Sequence, residues 1–554
     1  MPNLRNLKIK VNNFKNSMRQ NGKKAELRRI KNYLKYKKTV VDGYEEWRIL
    51  NEPSSEALEN QKGFKSFLNN KYLIVVSNEE SKEKVLKQTY SNVEIKVSKA
   101  AEYETLLESE SDYIVFVGEN IRLLPFTLCE IEKHLEYFDS NLVYGDNDYL
   151  EDGKRVNPDF KPHYAYDTIL SKNYFGNFIA VKTKFLKLYP DILKGINAVE
   201  PIYNIILRTI GKTDKILHID RVLYSKEKDE VNTEEQIKII EEYLKDNNID
   251  YTSVKNGKYE GQYKIDYPII GNPKISIVIP NMDHTDDLDK AIQSILKSTY
   301  QNYEIVIVEN NSKKEETFEY YKKIEKQDSR IRVEKMEIKV FNYSAIVNYG
   351  AEKSTGDYIL LLNNDIEVLT EDWLEQMLMY TQRENVGICG VKMYFPDRSI
   401  QHASVTIGIR GLAGHKYREI PESEFSKNDG INLLQDVSAV TAACCLIKTS
   451  TYKELLGFDE KLAVAFNDVD FCLKVRKEDL LIVYNPFVEL YHFESKSRGL
   501  DDTAEKQKRF AKEYGLFVKR WQRTIGKGDP YFSRNYRLDT DIPTINYNKR
   551  MDLI

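Results

Sequence analysis

The stretch Gly356-Asp-Tyr-Ile-Leu-Leu-Leu-Asn363-Asn364-Asp365 is an apolar run that ends abruptly in two amides and a carboxylate. Such a run predicts a buried strand. A polar stop after a strand is often only a turn, but two later motifs point to a site. One is Asn467-Asp468-Val469-Asp470, and the other is His492, 24 residues after Asp468. Asp365, Asp468 and His492 together predict a divalent-metal site with a general base beside it.

The residues upstream predict the start of an α/β sheet. Residues 275–280 read as a buried strand, residues 287–296 as an amphipathic helix, and residues 303–308 as a second strand. The second strand stops at the polar run Glu309-Asn310-Asn311-Ser312. Because α/β sheets bind nucleotides at the carboxyl ends of their strands, this edge is the predicted ligand site.

From Ile275 to about Arg498 the ordered motifs resemble the family 2 inverting glycosyltransferases, whose nucleotide-sugar-binding domain has the GT-A fold. The resemblance implies that Asp468 is the catalytic base and that Asp365 and His492 hold Mg²⁺ or Mn²⁺ against the donor diphosphate. Oxygen ligands suit these ions, and the cation would neutralise charge on the leaving group. The resemblance also implies a set of donor-binding residues: Pro280, Glu309, Asn311, Asn348, Asn363, Asn364 and Arg498.

Each of these roles has a plainer alternative. Glu309, which by resemblance binds the nucleotide base, also fits a solvated strand end. Asn363 departs from the Asp-x-Asp motif of the family, which leaves one fewer charge on the metal. His492 could be satisfied by a backbone carbonyl, and Asp470 reads more readily as a helix cap than as a catalytic group. His402 and His415, in a Gly-rich stretch, are predicted to wall the active site without zinc-ligand spacing.

An internal repeat organises the first half of the chain. Ser111-Asp-Tyr-Ile-Val-Phe-Val-Gly118-Glu119-Asn120 aligns without gaps on the stretch that ends at Asp365. Asn120 therefore replaces the metal ligand Asp365. Further on, residues 202–208 align on residues 468–474, and residues 223–225 align on residues 490–492, so Ile202 replaces the base and Ser225 replaces the histidine. We therefore expect a degenerate copy that has lost its chemistry. Asp146 and Asp148 offer a displaced metal motif as an alternative, which is less favoured because no later base accompanies them.

The predicted fold is α/β, with two tandem GT-A, Rossmann-like domains, the first degenerate, and a basic helical amino terminus. The expected boundaries are a basic amphipathic segment at 1–69, the degenerate domain at 70–230, a helix and linker at 231–268, the catalytic domain at 269–525 and a carboxyl-terminal extension at 526–554.

Charge is distributed unevenly along the chain. Residues 1–40 hold 13 Lys or Arg and one acid, Glu26, a formal charge of +12 against −3 for the whole chain. This segment fits either an anionic membrane surface or the protein's own domains. RNA ranks third because no nucleic-acid-binding module accompanies it, and no nucleic-acid partner is expected. We expect no signal peptide or membrane span, reduced cysteines, and a cytoplasmic location that includes peripheral placement on the inner leaflet of the plasma membrane.

The function that these features favour is inverting, metal-dependent transfer of a sugar from a dTDP- or UDP-linked donor to a growing cell-surface polysaccharide or lipid-linked glycan. Rhamnose is the first donor sugar to consider, because residues 363–365, 492–499 and 529–531 resemble rhamnosyltransferase-like relatives. The rival is a non-catalytic glycan-binding or assembly subunit. A nucleotidyltransferase is a third class, but it would need a Gly-rich first loop in place of Pro280-Asn281-Met282-Asp283.

Overall fold

The computed structural model describes residues 43–227, 231–425, 430–493 and 503–548. These residues form two compact units. The first unit contains the residues up to Asp266, together with Pro530–Arg537 and the described residues from Thr544 onward. The second unit contains Tyr267–Asp529 and Leu538–Pro543. The basic segment at 1–40 and the donor-binding candidate Arg498 lie outside the described residues.

The first unit is an α/β layer structure. Its helices are α1 Tyr44–Asn51, α2 Ser55–Gln61, α3 Glu79–Glu83, α4 Thr127–Leu135, α5 Tyr166–Ser171, α6 Thr183–Leu188, α7 Pro201–Ile210 and α8 Thr233–Asp246. Its strands are β1 Tyr72–Val76, β2 Val93–Val97, β3 Tyr113–Val117, β4 Ile121–Leu123, β5 Leu142–Glu151, β6 Lys154–Asp159, β7 Phe178–Lys182, β8 Ile216–Lys226, β9 Ser253–Asn256 and β10 Tyr263–Asp266. Residues 231–268, predicted as a helix and linker, form α8 and the antiparallel β9–β10 pair.

The second unit has the same layered character. Its helices are α9 Thr285–Ile295, α10 Glu315–Gln327, α11 Tyr343–Lys353, α12 Trp373–Thr381, α13 Thr449–Glu454, α14 Asn467–Lys477 and α15 Ala504–Lys527. Its strands are β11 Ile275–Asn281, β12 Tyr303–Glu309, β13 Ile331–Lys335, β14 Tyr358–Leu362, β15 Ile366–Val368, β16 Val386–Tyr394, β17 Ile400–His402, β18 Val405–Ile407, β19 Ala413–His415, β20 Gln435–Asp436, β21 Cys444–Lys448 and β22 Leu481–His492.

The main sheets of the two units have closely similar strand orders. The first runs β2-β1-β3-β7-β5-β8-β4, and the second runs β13-β12-β11-β14-β21-β16-β22-β15. Apart from the additional edge strand β13, each strand in this order has a counterpart at the same place in the first sheet. Beside it, β17 pairs with β16 as β6 pairs with β5, whereas β20, which pairs with β22, has no counterpart. In both sheets the short strand after the central apolar run pairs antiparallel with the last long strand.

Burial on both faces explains the apolar runs that mark the central strands of the second unit. Every residue of β14 is buried, and so is every residue of β12. Helix α11 covers one face closely at Gly350, where an added β-carbon would collide with Val278 and lie 2.8 Å from Cγ2 of Val308. The layers thus fix the positions of the strand ends. Among the described residues, no helix is both long enough and apolar enough to cross a membrane.

Candidate active site

The carboxyl ends of β11, β12 and β14 are joined by a chain of buried hydrogen bonds. Asn364 Nδ2 donates to Asn281 Oδ1 (2.7 Å), and Asn281 Nδ2 donates to the hydroxyl of Tyr321 (2.8 Å). That hydroxyl in turn donates to Glu309 Oε2 (2.7 Å). The chain runs across three neighbouring parallel strands. It therefore fixes the turn that carries Asp365 relative to the rest of the edge.

The donor-binding candidates on β11 and β12 are held mainly by their own loops. Glu309 is 2% exposed, and its carboxylate also accepts from the backbone N–H and the hydroxyl of Ser312, both at 2.6 Å. Asn311 has a left-handed backbone with φ 61°, and its Nδ2 donates to the carbonyl oxygen of Ile338 (2.6 Å). Pro280 lies within β11 opposite Val308. These contacts shape the edge on which a nucleotide would rest.

Asn348 has a positioning role in this structure. Its Nδ2 donates to the carbonyl oxygen of Phe458 (2.9 Å). Its Oδ1 accepts from the backbone N–H of Phe458 (2.9 Å) and from the hydroxyl of Tyr452 (2.7 Å). The side chain therefore ties α11 to the turn that leads into α14. Its contribution to a donor site would come through that turn.

Asp365 and His492, the predicted metal ligands, are brought together by sheet pairing. Strand β15 pairs antiparallel with β22 so that Ile366 lies opposite His492. His492 Nε2 lies 3.3 Å from Asp365 Oδ1 and 3.4 Å from Asn363 Nδ2, and both the Asp365 and His492 side chains are 7% exposed. Rotation of the Asn363 amide would turn its oxygen toward the same place. A carboxylate, an imidazole and an amide oxygen form a donor set that fits Mn²⁺ or Mg²⁺.

Asp468, the predicted base, lies in the first turn of α14. The helix follows Phe466, which has a left-handed backbone with φ 63°. Asp468 Oδ1 accepts from the N–H of Val469 (2.8 Å), and its Oδ2 accepts from the N–H of Ala442 (3.4 Å). Burial raises the pKa of Asp468, while these N–H donors oppose the rise. A carboxylate with a raised pKa is a better proton acceptor once ionised.

Tyr343 connects the two carboxylates electrostatically. Burial raises the pKa of this tyrosine, and the charges of Asp468 and Asp365 both add to the increase. Its hydroxyl donates to the carbonyl oxygen of Ala442 (3.2 Å). The fold therefore brings the predicted base and the predicted metal ligand within electrostatic range of one tyrosine, although 103 residues separate them in sequence.

Asp470 is a structural anchor. Its carboxylate is fully buried and accepts from Arg520 Nη1 (2.6 Å) and from the indole Nε1 of Trp521 (2.8 Å), with Lys474 Nζ at 3.5 Å. The predicted structural role fits these contacts, but the partners are on α15 rather than only in the local turn. Asp470 thus holds α14 in place, and with it Asp468.

His402 and His415, which were predicted to wall the active site, extend the polar region next to His492. His402 is fully buried, and its Nδ1 lies 3.0 Å from Nδ1 of His415. Burial lowers the pKa of His402 well below its usual value, and the charges of His415 and His492 add to this effect. The Gly-rich stretch around them was the available sequence signal. Their nearness to His492 depends on the pairing of β16 with β17 and β22.

Comparison with known proteins relates part of the second unit to a family. Residues 276–456 match the family described as glycosyl transferase family 2. The protein y4gI of Sinorhizobium fredii is 35% identical over 445 residues, which cover 77% of this chain and 48% of y4gI. The O-antigen biosynthesis protein RfbC of Myxococcus xanthus is 31% identical over 445 residues, which cover 77% of this chain and 34% of RfbC. The chain therefore spans about half or less of the length of these relatives.

A solved structure described as GalNAc-T7 with UDP, GalNAc and Mn²⁺ superposes with a TM-score of 0.38 at 16% identity, covering 50% of this chain and 52% of that one.

Proposed function

We propose that the second unit transfers a sugar from a nucleotide donor to a glycan acceptor with inversion at the anomeric carbon. The premise is the match of residues 276–456 to glycosyl transferase family 2. The observation that carries the proposal is the 3.3 Å approach of His492 to Asp365 at the end of the sheet. A metal ligand set and a base on one sheet edge are the parts that such a transfer requires.

In the proposed reaction Asp468 accepts the proton of the acceptor hydroxyl as that oxygen attacks the anomeric carbon. The sugar–phosphate bond breaks, and the nucleoside diphosphate leaves on the opposite face, which inverts the configuration. Asp365, His492 and Asn363 would hold Mg²⁺ or Mn²⁺, and the bound ion would supply positive charge for the leaving diphosphate. Asn364, fixed by Asn281, keeps the Asp365 turn in register.

The donor and acceptor belong to the same proposal. A dTDP-linked rhamnose is the first donor to test, because residues 363–365 and the segment that follows His492 resemble rhamnosyltransferase-like proteins. UDP-linked sugars come next. The 31% sequence identity to the O-antigen biosynthesis protein RfbC supports a cell-surface polysaccharide or lipid-linked glycan as the acceptor. The basic segment at 1–40 would bring the enzyme to an anionic membrane surface on the cytoplasmic side.

We also propose that the first unit is a copy of the catalytic fold that has lost this chemistry. The nearly identical strand order of the two sheets supports the duplication. Asn120 occupies the turn between β3 and β4, where the second unit has Asp365. The residue paired with Ile121 is Lys226, whereas the residue paired with Ile366 is His492, so the sheet register puts Lys226, rather than the Ser225 of the sequence alignment, in the place of His492. An ammonium group at this place would oppose the binding of a cation.

A panel of nucleotide sugars tests the proposal. The full chain is expected to hydrolyse one donor slowly without acceptor, in the presence of Mg²⁺ or Mn²⁺, and Asp468→Asn is expected to slow glycan transfer about 10²–10⁴-fold. Asp479→Asn, which changes a carboxylate just beyond the end of α14, is the matched control. If no donor is bound or hydrolysed under any metal condition, the chain is better described as a glycan-binding or assembly subunit.

A further inference from the structure

We propose that the first unit carries a second, independent metal site formed by His163, His218 and Asp220, which takes a divalent cation of the Zn²⁺ class. One ligand atom from each residue can be chosen so that all three lie within 4.8 Å of one another. His218 Nδ1 lies 3.3 Å from Asp220 Oδ1, and His163 Nε2 lies 3.6 Å from Asp220 Oδ2.

The distances match what a small cation would need. Zinc binds nitrogen and oxygen ligands at about 2.0–2.2 Å, so ligand atoms around a tetrahedral ion stand ~3.4 Å apart. The two measured separations, one to each carboxylate oxygen of Asp220, are close to that value. Two imidazoles and one carboxylate are the ligand types that Zn²⁺ accepts when it keeps one position for water, and they are poorly suited to Mg²⁺ or Ca²⁺.

The orientation of His218 is fixed from its other side. Its Nε2 lies 2.8 Å from Asp146 Oδ1. Asp146 is itself held by N–H donors, since Oδ1 accepts from the backbone of Lys161 (2.9 Å) and Oδ2 from Asn535 Nδ2 (3.1 Å). A carboxylate that accepts at both oxygens requires the proton on His218 Nε2. In the neutral ring the lone pair of Nδ1 then faces Asp220 and His163, which is the arrangement of a carboxylate–histidine–metal triad.

A second observation points to a ligand at this place. His218 Nδ1 and Asp220 Oδ1 are both buried, and within the described part of the chain neither has a hydrogen-bond partner beyond their 3.3 Å approach to each other. The side chain of His218 is 1% exposed. Buried polar atoms normally find a partner, so two such atoms facing each other call for an explanation. A shared cation would satisfy both.

The site is rigid and open on one side. The ring of His218 stacks on Tyr144 at 4.8 Å between centroids, and Tyr144 stacks on Phe175 at 3.7 Å. Tyr144 and His218 are directly paired in the parallel register of β5 and β8. His163, by contrast, is 44% exposed and supplies the side from which an ion and its water could enter. The site is thus preorganised on its buried side.

This inference is independent of the proposed transferase. Asp148, the partner of Asp146 in the alternative sequence motif, accepts instead from Tyr44 (2.5 Å) and from Arg155 Nε (2.6 Å). Asp146 therefore acts as a positioning residue behind His218, and the ligands are residues that the sequence motif did not include. Loss of this site would leave the ligands Asp365 and His492 unchanged.

The test uses the full chain without a histidine tag, stripped with chelator and then equilibrated with Zn²⁺ or Co²⁺. Bound zinc is counted by atomic emission, and the geometry of bound cobalt is read from its visible absorption. We expect His163→Ala to lose one equivalent of zinc and the tetrahedral cobalt bands. Asp365→Ala should keep those bands, and His284→Ala, which removes a partly exposed imidazole of the second unit, should match the wild type. Asp146→Asn should weaken zinc binding about 10–100-fold.

Equal zinc content and equal cobalt spectra in the wild type and His163→Ala would overturn the proposal. So would a wild-type chain that binds no ion through His163, because the cluster would then be an ion-pair network in which a protonated His218 bridges Asp146 and Asp220. His163→Gln serves as the second variant if the alanine variant does not fold, and the same loss is expected from it. Retention of donor hydrolysis by these variants would separate this site from the catalytic one.

Discussion

Replacing Asp468 with Asn should slow the enzyme and stabilise the fold at the same time. Without a base, proton transfer from the acceptor loses a factor of about 10²–10⁴ in kcat, equivalent to about 2.7–5.4 kcal/mol of transition-state stabilisation. Binding of the nucleoside diphosphate should be nearly unchanged, because Asp468 is not among the proposed metal or donor ligands. Steady-state transfer kinetics and calorimetry of nucleotide binding measure the two effects separately.

The effect on stability follows from the pKa of Asp468. Burial raises this pKa in the folded state, so the ionised carboxylate destabilises the fold above the folded pKa, by about 1.4 kcal/mol for each pH unit between the folded and unfolded values. Below the unfolded pKa the group is protonated in both states, and the cost disappears. The amide introduced by Asp468→Asn would lack this cost but would lose one N–H acceptor, worth about 0.5–1.5 kcal/mol. The long 3.4 Å bond from Ala442 is the one expected to be lost.

The variant should therefore gain stability relative to the wild type as pH rises through the folded pKa of Asp468, and the gain should vanish in acid. Urea unfolding across a pH series measures this difference. Wild-type activity should also fall as pH drops through the same folded pKa, because the base becomes protonated. A variant with near-normal turnover, or a difference in stability that does not change with pH, would refute the reasoning.

The metal ligand, the buried anchor and the basic segment each give a further prediction. Asp365→Ala should remove the Mn²⁺-dependent part of nucleoside diphosphate binding, and equal affinity with and without chelator in the wild type would contradict the metal site. Asp470→Asn should lower the free energy of unfolding by roughly 1–3 kcal/mol, because it weakens the hydrogen bonds from Arg520 and Trp521, and Trp521→Phe should lower it by less. Urea titration measures both changes. An Asp470→Asn variant with unchanged stability would contradict the anchor role. Deleting residues 1–40 should abolish sedimentation with anionic vesicles but leave donor hydrolysis intact, with Glu26→Gln as the control; an intact chain that ignores such vesicles would end the membrane proposal.

The central strands and their ends could be predicted from the sequence because buried strands consist of uninterrupted apolar residues and end at polar ones. An unbroken apolar run has to be covered on both faces, and β14 is buried throughout and stops at Asn363 as expected. The approach of Asp365 to His492 could be anticipated only by resemblance to a family, because 127 residues separate the two. Their contact depends on the pairing of β15 with β22, which no local pattern specifies.

Other features could not be predicted because their partners are distant in the chain. Asn348 fitted a donor-binding pattern, but its hydrogen bonds to Phe458 and Tyr452 depend on how α11 packs. The cluster of His163, His218 and Asp220 has no spacing typical of a metal motif, and the register of β5 with β8 is needed to place it. The pairing of β9 with β10 was likewise unexpected, since residues 251–266 are rich in polar residues and Gly.

The buried carboxylates of the second unit differ in the hydrogen-bond donors that surround them. Asp470 has a guanidinium, an indole and an ammonium around it, and Glu309 has two hydroxyls and an N–H. Asp468 is held by the backbone N–H groups of Val469 and Ala442 and by the side chain of Thr441, and the imidazole of His492 approaches Asp365. Side-chain donors from α15 at Asp470, and from Ser312 and Tyr321 at Glu309, therefore suit carboxylates that hold the fold, whereas Asp365 and Asp468 are the carboxylates proposed to do chemistry.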